Sequence, residues 1–142
     1  MIDCFDGDYA FLSNFYDCPV TYKGLTYQNN EAAFQAQKTL NENVRREFTQ
    51  LPPNLAKRKG RKVALRSDWE QIKDEVMYEL CLEKFVGNVD LLELLHETKD
   101  SEIVEGNYWH DNYWGNCTCE KSNKITGKNK LGKILMEIRD KY

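Results

Sequence analysis

Several common features are missing from this sequence, and each absence excludes a class of protein. No apolar run approaches the ~20 residues of a membrane-spanning helix. The opening residues MIDCFDGDYAF are acidic and lack the apolar centre of a secretion signal. No G-x-x-x-x-G-K-[ST] or G-x-G-x-x-G pattern occurs, so neither phosphate-binding loop is predicted. We expect a cytoplasmic protein without a membrane partner.

The cysteines and histidines are too few, and too irregularly spaced, for a metal centre. There are five cysteines and two histidines. Cys117 and Cys119 are separated by one residue, with His110 upstream, whereas zinc sites use C-x₂₋₄-C or H-x₃₋₅-H spacing. The odd cysteine count favours free thiols in a reducing compartment. We predict no metal and no cofactor.

The amino-acid composition is that of an ordinary globular domain. The chain has 142 residues, of which 41% are hydrophobic and 30% charged. This length predicts a single domain over residues 1–142 with enough buried surface for a real core. The hydrophobic periodicity described below predicts an α+β class, mostly helical, with a small β element near the N-terminus.

Charge is distributed unevenly. The net charge is −3, but residues 57–66 hold six cations and residues 121–133 hold five, with no acidic residue in either stretch. Without these eleven cations the remainder would carry −14. One interpretation is two solvated helix faces. The other is two anchor points for phosphate groups of an anionic ligand.

Turn and cap signals divide the chain into elements. Residues 20–22 and 25–27 flank Lys23-Gly24 and predict a hairpin. Asn29 or Asn30 can cap a helix that reaches about residues 39–41. Further helices are predicted over 53–59, from a capping box at 67–70 to about 85, over 89–97 and from about 131 to the C-terminus. Residues 101–105 are predicted to be extended, followed by a long aromatic loop over 106–127.

The first helix carries a polar stripe. Glu31, Gln35 and Lys38 follow i, i+4, i+7 spacing and share one face of a helix, with Ala33, Ala36 and Leu40 on the opposite face. The stripe is either the solvent face of an amphipathic helix or a carboxylate and an amine that project into a cleft. A carboxylate can transfer protons, and a desolvated amine can attack a sugar aldehyde.

A second group of candidates lies in the aromatic loop. Glu105 is followed closely by Asp111 and Trp114. These residues either form a stacking wall beside a carboxylate or pin the loop to itself. Further on, Gly127-Lys128-Asn129 precedes the last helix, where free backbone N–H groups favour anions.

Taken in order, these motifs resemble the NADAR (YbiA-like) family over about residues 10–140. The resemblance is carried by an ordered series of short segments. They are FLSNFY at 11–16, YQNNEAAFQAQK at 27–38, GRK at 60–62, DW at 68–69, VM at 76–77, KF at 84–85, IVE at 103–105, DNYWG at 111–115, GKNKLG at 127–132 and MEIR at 136–139. Two features depart from the pattern: Ala32 stands where many members have His, and residues 117–125 lengthen a loop.

The resemblance implies N-glycosidase chemistry on a phosphorylated ribosyl substrate. The substrate classes it implies are phosphoribosylamino-pyrimidines of riboflavin synthesis and ADP-ribose attached to guanine, which could be part of a nucleic acid. It also implies a lysine Schiff base, at Lys38. We therefore predict that Lys38 attacks ribose C1 and that Glu31 transfers protons. The other predicted substrate-binding residues are Asn14, Phe15, Gln35, Arg61, Trp69, Glu105, Asp111, Trp114, Lys128 and Asn129.

Each contact has a predicted partner on the substrate. We expect Asn14, Gln35 and Glu105 to hold ribose hydroxyls, and Trp114 or Trp69 to stack on the base. Arg61, Lys128 and Asn129 are expected to meet phosphates.

Two other functions fit the same residues. A module that binds ADP-ribose or NAD without cleaving it would use the same pocket, but it does not need a carboxylate paired with an amine. A nucleic-acid-binding protein would use the basic stretches, and its affinity would fall steeply with salt.

Overall fold

The structure is a computed structural model that describes residues 1–118 and 127–142. The described residues form six α-helices and two short pairs of β-strands, which confirms the mostly helical α+β class. They divide into two compact units, residues 14–88 and residues 1–13 with 89–142. The prediction of one domain over 1–142 stays a prediction. No helix of the described residues is long and apolar enough to cross a membrane.

The unit of residues 14–88 is built around a buried central helix. The predicted hairpin is present as β1 (Val20–Tyr22) and β2 (Leu25–Tyr27), which pair antiparallel with Thr21 opposite Thr26. Helix α1 (Asn30–Ala36) follows, and its first turn is capped by the Asn29 side chain, which accepts from Ala32 N–H. Helices α3 (Pro53–Gly60) and α4 (Trp69–Val86) pack on α1.

Helix α1 is shorter than predicted. The amide of Lys38 bonds to the carbonyl of Gln35 at 3.2 Å, a tighter turn than an α-helix makes, and helical geometry ends at Ala36. A helix that was not predicted follows, α2 (Glu42–Glu47). Asn41 caps it by accepting from the amides of Asn43 and Val44. Leu40 is therefore 66% exposed and does not pack in the core as expected.

The predicted capping box of α4 does not form. The helix begins at Trp69 with Asp68 in the N-cap position, and no side chain caps it. The Asp68 carboxylate instead accepts two bonds from the Arg66 guanidinium, at 2.6 and 3.1 Å. A charge-assisted bidentate pair is stronger than a neutral cap bond, so Asp68 faces back along the chain.

The other unit combines the chain's beginning with its C-terminal third. A 3₁₀ helix over Gly7–Leu12 was not predicted. Ile2 pairs with Ile103 in a parallel bridge, which agrees with the extended segment expected there. The predicted helices are present as α5 (Val89–Glu97) and α6 (Lys130–Lys141), and α6 buries the predicted apolar stripe. Its buried stripe residues are Leu131, Ile134, Leu135 and Ile138.

The loop after Glu105 contains regular structure that the sequence did not reveal. Strands β3 (Gly106–Asn107) and β4 (Asn116–Cys117) pair in parallel. Cys4, Cys18 and Cys81 carry free thiols, whereas Cys117 is disulfide-bonded, so the expectation of free thiols is wrong there. Cys119 and the first two lysines of the second basic stretch lie outside the described residues.

Candidate active site

The polar stripe of α1 is not a solvent face. All seven residues of the helix are buried, and Glu31 and Gln35 are only 8% and 6% exposed. Their side chains are joined by a bond from Gln35 Nε2 to Glu31 Oε1 at 2.8 Å. Burying a carboxylate is costly unless it is hydrogen-bonded, so the buried Glu31–Gln35 pair does not serve to keep a helix face soluble. The cleft interpretation of the stripe is the one that the geometry favours.

Two residues that precede the hairpin secure the start of α1. The carbonyl of Asn14 accepts from the Glu31 amide at 3.0 Å, and its Oδ1 accepts from Asn30 Nδ2 at 3.4 Å. Asn14 Nδ2 also donates to the sulfur of Met77 on α4, at 3.4 Å. The neighbouring Phe15 is 43% exposed, and Lys57 Nζ lies 5.9 Å from its ring centre. Asn14 and Phe15 thus lie at the same end of α1 as Glu31.

Lys38 lies in the turn just beyond α1, half-buried. Its carbonyl accepts from the Arg66 amide at 2.8 Å, and Arg66 Nη1 lies 3.5 Å from the carbonyl of Gln37. The Arg66–Asp68 pair therefore holds the backbone that carries Lys38. This clamp was not predicted, although Arg66 lies in the first basic stretch and Asp68 in the expected capping box.

The Lys38 amine lies in an electrostatic field of mixed sign. Burial lowers the pKa of its ammonium group below the ordinary 10.5, while the negative charge of Glu31 raises it. The positive charges of Arg61, Lys73 and Lys57 lower this pKa further. A lowered pKa increases the neutral, nucleophilic fraction of an amine at physiological pH.

The basic stretch 57–66 contributes two of those cations from one face of α3. Lys57 and Arg61 are four residues apart, so their side chains share a helix face. Lys73, on α4, is tied to Glu70 at 2.6 Å. Lys57 and Lys73 were not among the predicted site residues; the i, i+4 spacing with Arg61 is the signal that identifies Lys57.

Trp69 lies in the same unit, but the surroundings of its ring do not suit the predicted stacking on a base. It is 5% exposed, and its ring packs on Phe34 with centroids 5.1 Å apart. A base needs an accessible ring face, which Phe15 offers and the buried Trp69 does not.

The remaining predicted residues form a second cluster, in the other unit. Asn107 Nδ2 donates to Glu105 Oε2 at 3.3 Å and to the Asp111 carbonyl at 2.7 Å. Asp111 Oδ1 accepts from the amides of Tyr113 and Trp114 at 3.0 and 2.9 Å. These bonds show a loop folded tightly on itself, as the structural interpretation of the aromatic loop expected.

Lys128 and Asn129 differ sharply in their surroundings. Lys128 is exposed, with its Nζ 5.2 Å from the Tyr113 ring centre. Asn129 is 4% exposed: its Oδ1 accepts from the Glu105 amide and its Nδ2 donates to the Ile103 carbonyl. Its side chain is thus already bonded to backbone, while Lys128 is free to meet solvent. Among the described residues no group of His, Cys, Asp and Glu side chains is arranged to hold a metal.

Comparison with known proteins identifies the class to which this fold and site belong. The NADAR domain model matches residues 4–142, so the chain belongs to the NADAR family. The N-glycosidase YbiA of Escherichia coli (strain K12) is 38% identical over 136 residues, covering 94% of this chain and 81% of that protein.

Two further comparisons agree. The NMR structure of E. coli YbiA superimposes with a TM-score of 0.81 at 36% identity, covering 99% of this chain and 85% of that one. The riboflavin biosynthesis protein VVA0006 of Vibrio vulnificus is 34% identical over 139 residues, which are 95% of this chain but 36% of that protein. The predicted family is confirmed. The predicted enzyme class, a hydrolase acting on N-glycosyl bonds, is confirmed at the level of the family.

Proposed function

We propose that this protein is an N-glycosidase that hydrolyses the bond between ribose C1 and a base nitrogen in a phosphorylated ribosyl substrate, and that it acts in the cytoplasm. The observation that carries the proposal is the buried Glu31 carboxylate, to which Gln35 is bonded, and its electrostatic effect on the half-buried Lys38 amine. A module that only binds needs no such pair.

Lys38 serves as the nucleophile. Its neutral amine attacks C1, the C1–N bond breaks, and the electron pair leaves with the base nitrogen, which takes a proton from Glu31. The ionised Glu31 then removes a proton from the new secondary ammonium. As the nitrogen lone pair forms the C=N bond, the bond from C1 to the ring oxygen breaks and Glu31 passes that proton to the ring oxygen, which leaves a protonated imine between Nζ and C1. Water adds to the imine carbon, and the amine departs to leave free ribosyl phosphate. Burial of Lys38 supports this chemistry because it favours the neutral amine.

The surroundings of the pair favour a ribosyl phosphate. The Gln35 amide oxygen is open to a ribose hydroxyl, and the exposed Phe15 ring offers a stacking face for the base. Asn14 stays a predicted ribose contact, since its amide is bonded to Asn30 and Met77. Arg61 and Lys57 place two cations on one face of α3, where a phosphate gains most from charge-assisted bonds. Glu105, Trp114 and Lys128 belong to the other unit, and their roles stay predictions from the sequence.

Two substrate classes remain in the proposal. The name of the Vibrio vulnificus relative links the family to riboflavin biosynthesis, which favours a phosphoribosylamino-pyrimidine. The family resemblance also implies ADP-ribose on guanine, either free or in a nucleic acid. A panel of a phosphoribosylamino-pyrimidine, NAD and ADP-ribosylated guanine, followed by chromatography, separates these substrates by which base is released.

Borohydride trapping tests the mechanism directly. The protein is incubated with borohydride and the substrate of the panel that it cleaves. Borohydride is expected to reduce the imine and leave the ribosyl fragment on Lys38, and peptide mass spectrometry then locates the modified residue. Lys38→Ala should lose both the adduct and turnover, and Glu31→Ala should lose turnover. Lys62→Ala, an exposed lysine of the same basic stretch, is the matched control and should keep both.

Two results would contradict the proposal. If Lys38→Ala hydrolyses the substrate as fast as the wild type, the imine mechanism is wrong. If every substrate of the panel binds but none releases a base, the protein is a binding module rather than an enzyme.

A further inference from the structure

Gly60, the last residue of α3, lies directly against the Gln35 side chain. A Cβ atom added to Gly60 would lie 2.7 Å from Gln35 Cδ and 3.0 Å from Gln35 Cβ, and still closer to Gln35 Oε1. Non-bonded carbon atoms pack at about 3.5–4.0 Å. No residue larger than glycine therefore fits at position 60 while Gln35 stays where it is.

The position of Gln35 matters because of its two amide atoms. Its Nε2 must face Glu31, since a carboxylate only accepts hydrogen bonds, and this leaves Oε1 beside Gly60. Oε1 is buried and has no hydrogen-bond partner among residues 1–118 and 127–142. A buried acceptor without a donor costs free energy, so its retention fits a donor that arrives with the substrate, such as a ribose hydroxyl.

We infer that Gly60 is a positioning residue, whose missing side chain seats Gln35 so that one amide holds both the Glu31 carboxylate and the substrate. The inference rests on the proposed function. The three nearest atoms that a Cβ would meet all belong to the Gln35 side chain and none to the backbone. A methyl group at position 60 should therefore displace one side chain and leave the fold intact.

Helix propensity argues in the same direction. Glycine has a lower helix propensity than alanine. If the stability of α3 were the only requirement, alanine would be the better residue at position 60. The contact with Gln35 provides the reason for glycine at this position.

A double-mutant cycle with kinetics tests the inference. We expect Gln35→Ala and Gly60→Ala each to lower kcat roughly tenfold or more, because each removes the bond to the charged Glu31. The double variant should be no slower than Gln35→Ala alone, because the shortened side chain no longer meets the methyl group. A general loss of structure would give additive losses instead.

The pH profile supplies a readout that a structural defect does not produce. The Gln35 bond stabilises the ionised form of Glu31, which must be protonated to act as the acid. Loss of the bond should therefore move the limb of the kcat/KM profile that falls with rising pH to higher pH in both single variants. Gly87→Ala is the control: its Cβ would meet the Glu83 carbonyl oxygen at 2.5 Å and no atom of Gln35 within 4 Å. We expect that control to lose stability but keep the wild-type pH profile.

Three outcomes would overturn the inference. They are a wild-type kcat in Gly60→Ala while Gln35→Ala is impaired, a double variant about tenfold slower than Gln35→Ala, or an unshifted pH profile. Should Gly60→Ala alone fail to fold, the double variant still decides: recovery of the fold supports the clash, and failure overturns it. Loss of the proposed function itself is distinct, since the wild type would then release no base.

Discussion

Replacing Asn129 by alanine should destabilise the protein rather than weaken phosphate binding directly. Asn129 precedes α6 in a left-handed conformation, with φ of 51°, and its amide joins two backbone groups, the Ile103 carbonyl at 2.9 Å and the Glu105 amide at 3.0 Å. Ile103 is fully buried. Alanine leaves both groups unpaired at about 1–3 kcal/mol each. The left-handed backbone adds about 1 kcal/mol.

The expected loss is therefore about 3–7 kcal/mol of unfolding free energy, a large part of the 5–15 kcal/mol of a typical domain. Urea denaturation followed by circular dichroism measures it, with substrate KM determined in parallel. Asn129→Gly removes the two bonds without the backbone strain, so it should lose about 1 kcal/mol less than alanine.

Lys128→Ala is the matched neighbour for this measurement. Lys128 is exposed and contacts the Tyr113 ring, so its removal should cost less than about 1 kcal/mol. If Asn129→Ala changes the unfolding free energy by less than about 1 kcal/mol but raises KM strongly, Asn129 is a ligand contact and the reasoning above is refuted.

Two further predictions concern ionisation. Arg61→Gln removes a positive charge that lowers the pKa of Lys38, so this pKa should rise. The limb of the kcat/KM profile that increases with pH should then move to higher pH. An unmoved limb would show that the Arg61 charge does not reach the amine. Lys84 is buried on α4, and burial lowers its pKa from 10.5 to about 8. Between pH 8 and 10.5 the unfolded chain therefore binds more protons than the folded chain, so the cost of burying the Lys84 cation fades as pH rises through this range. Lys84→Met should thus be more stable than the wild type by about 3 kcal/mol at neutral pH, with the difference in urea unfolding free energy shrinking above pH about 8; a constant difference would contradict this.

Local signals predicted most of the regular elements. The Lys23-Gly24 turn specified the hairpin because glycine readily adopts the positive φ required at Gly24, although Lys23 also takes a positive φ there. Apolar spacing placed α5 and α6 correctly, because each helix buries a stripe of its own. At the start of α4 the cap signal failed because a neighbouring charge competes with it: Arg66, two residues before Asp68, takes that carboxylate away from the helix.

The candidate site was predictable only in part. Glu31, Gln35 and Lys38 were identified from their spacing and the family resemblance, but spacing alone allowed an exposed stripe. Likewise Asn129 was expected at a phosphate, whereas its amide is bonded to two backbone groups from residues 103 and 105. Sequence cannot show such bonds because their partners lie far away along the chain.

By itself, the sequence determined the helical class, the order of most elements, the family and the residues proposed to carry the chemistry, since these follow from short-range pattern and residue type. Tertiary structure decided which polar residues are buried. Packing of α3 and α4 on α1 turns an amphipathic-looking stripe into a desolvated carboxylate–amide–amine series. Desolvation and neighbouring charge, which lower the pKa of Lys38, exist only once the chain is folded.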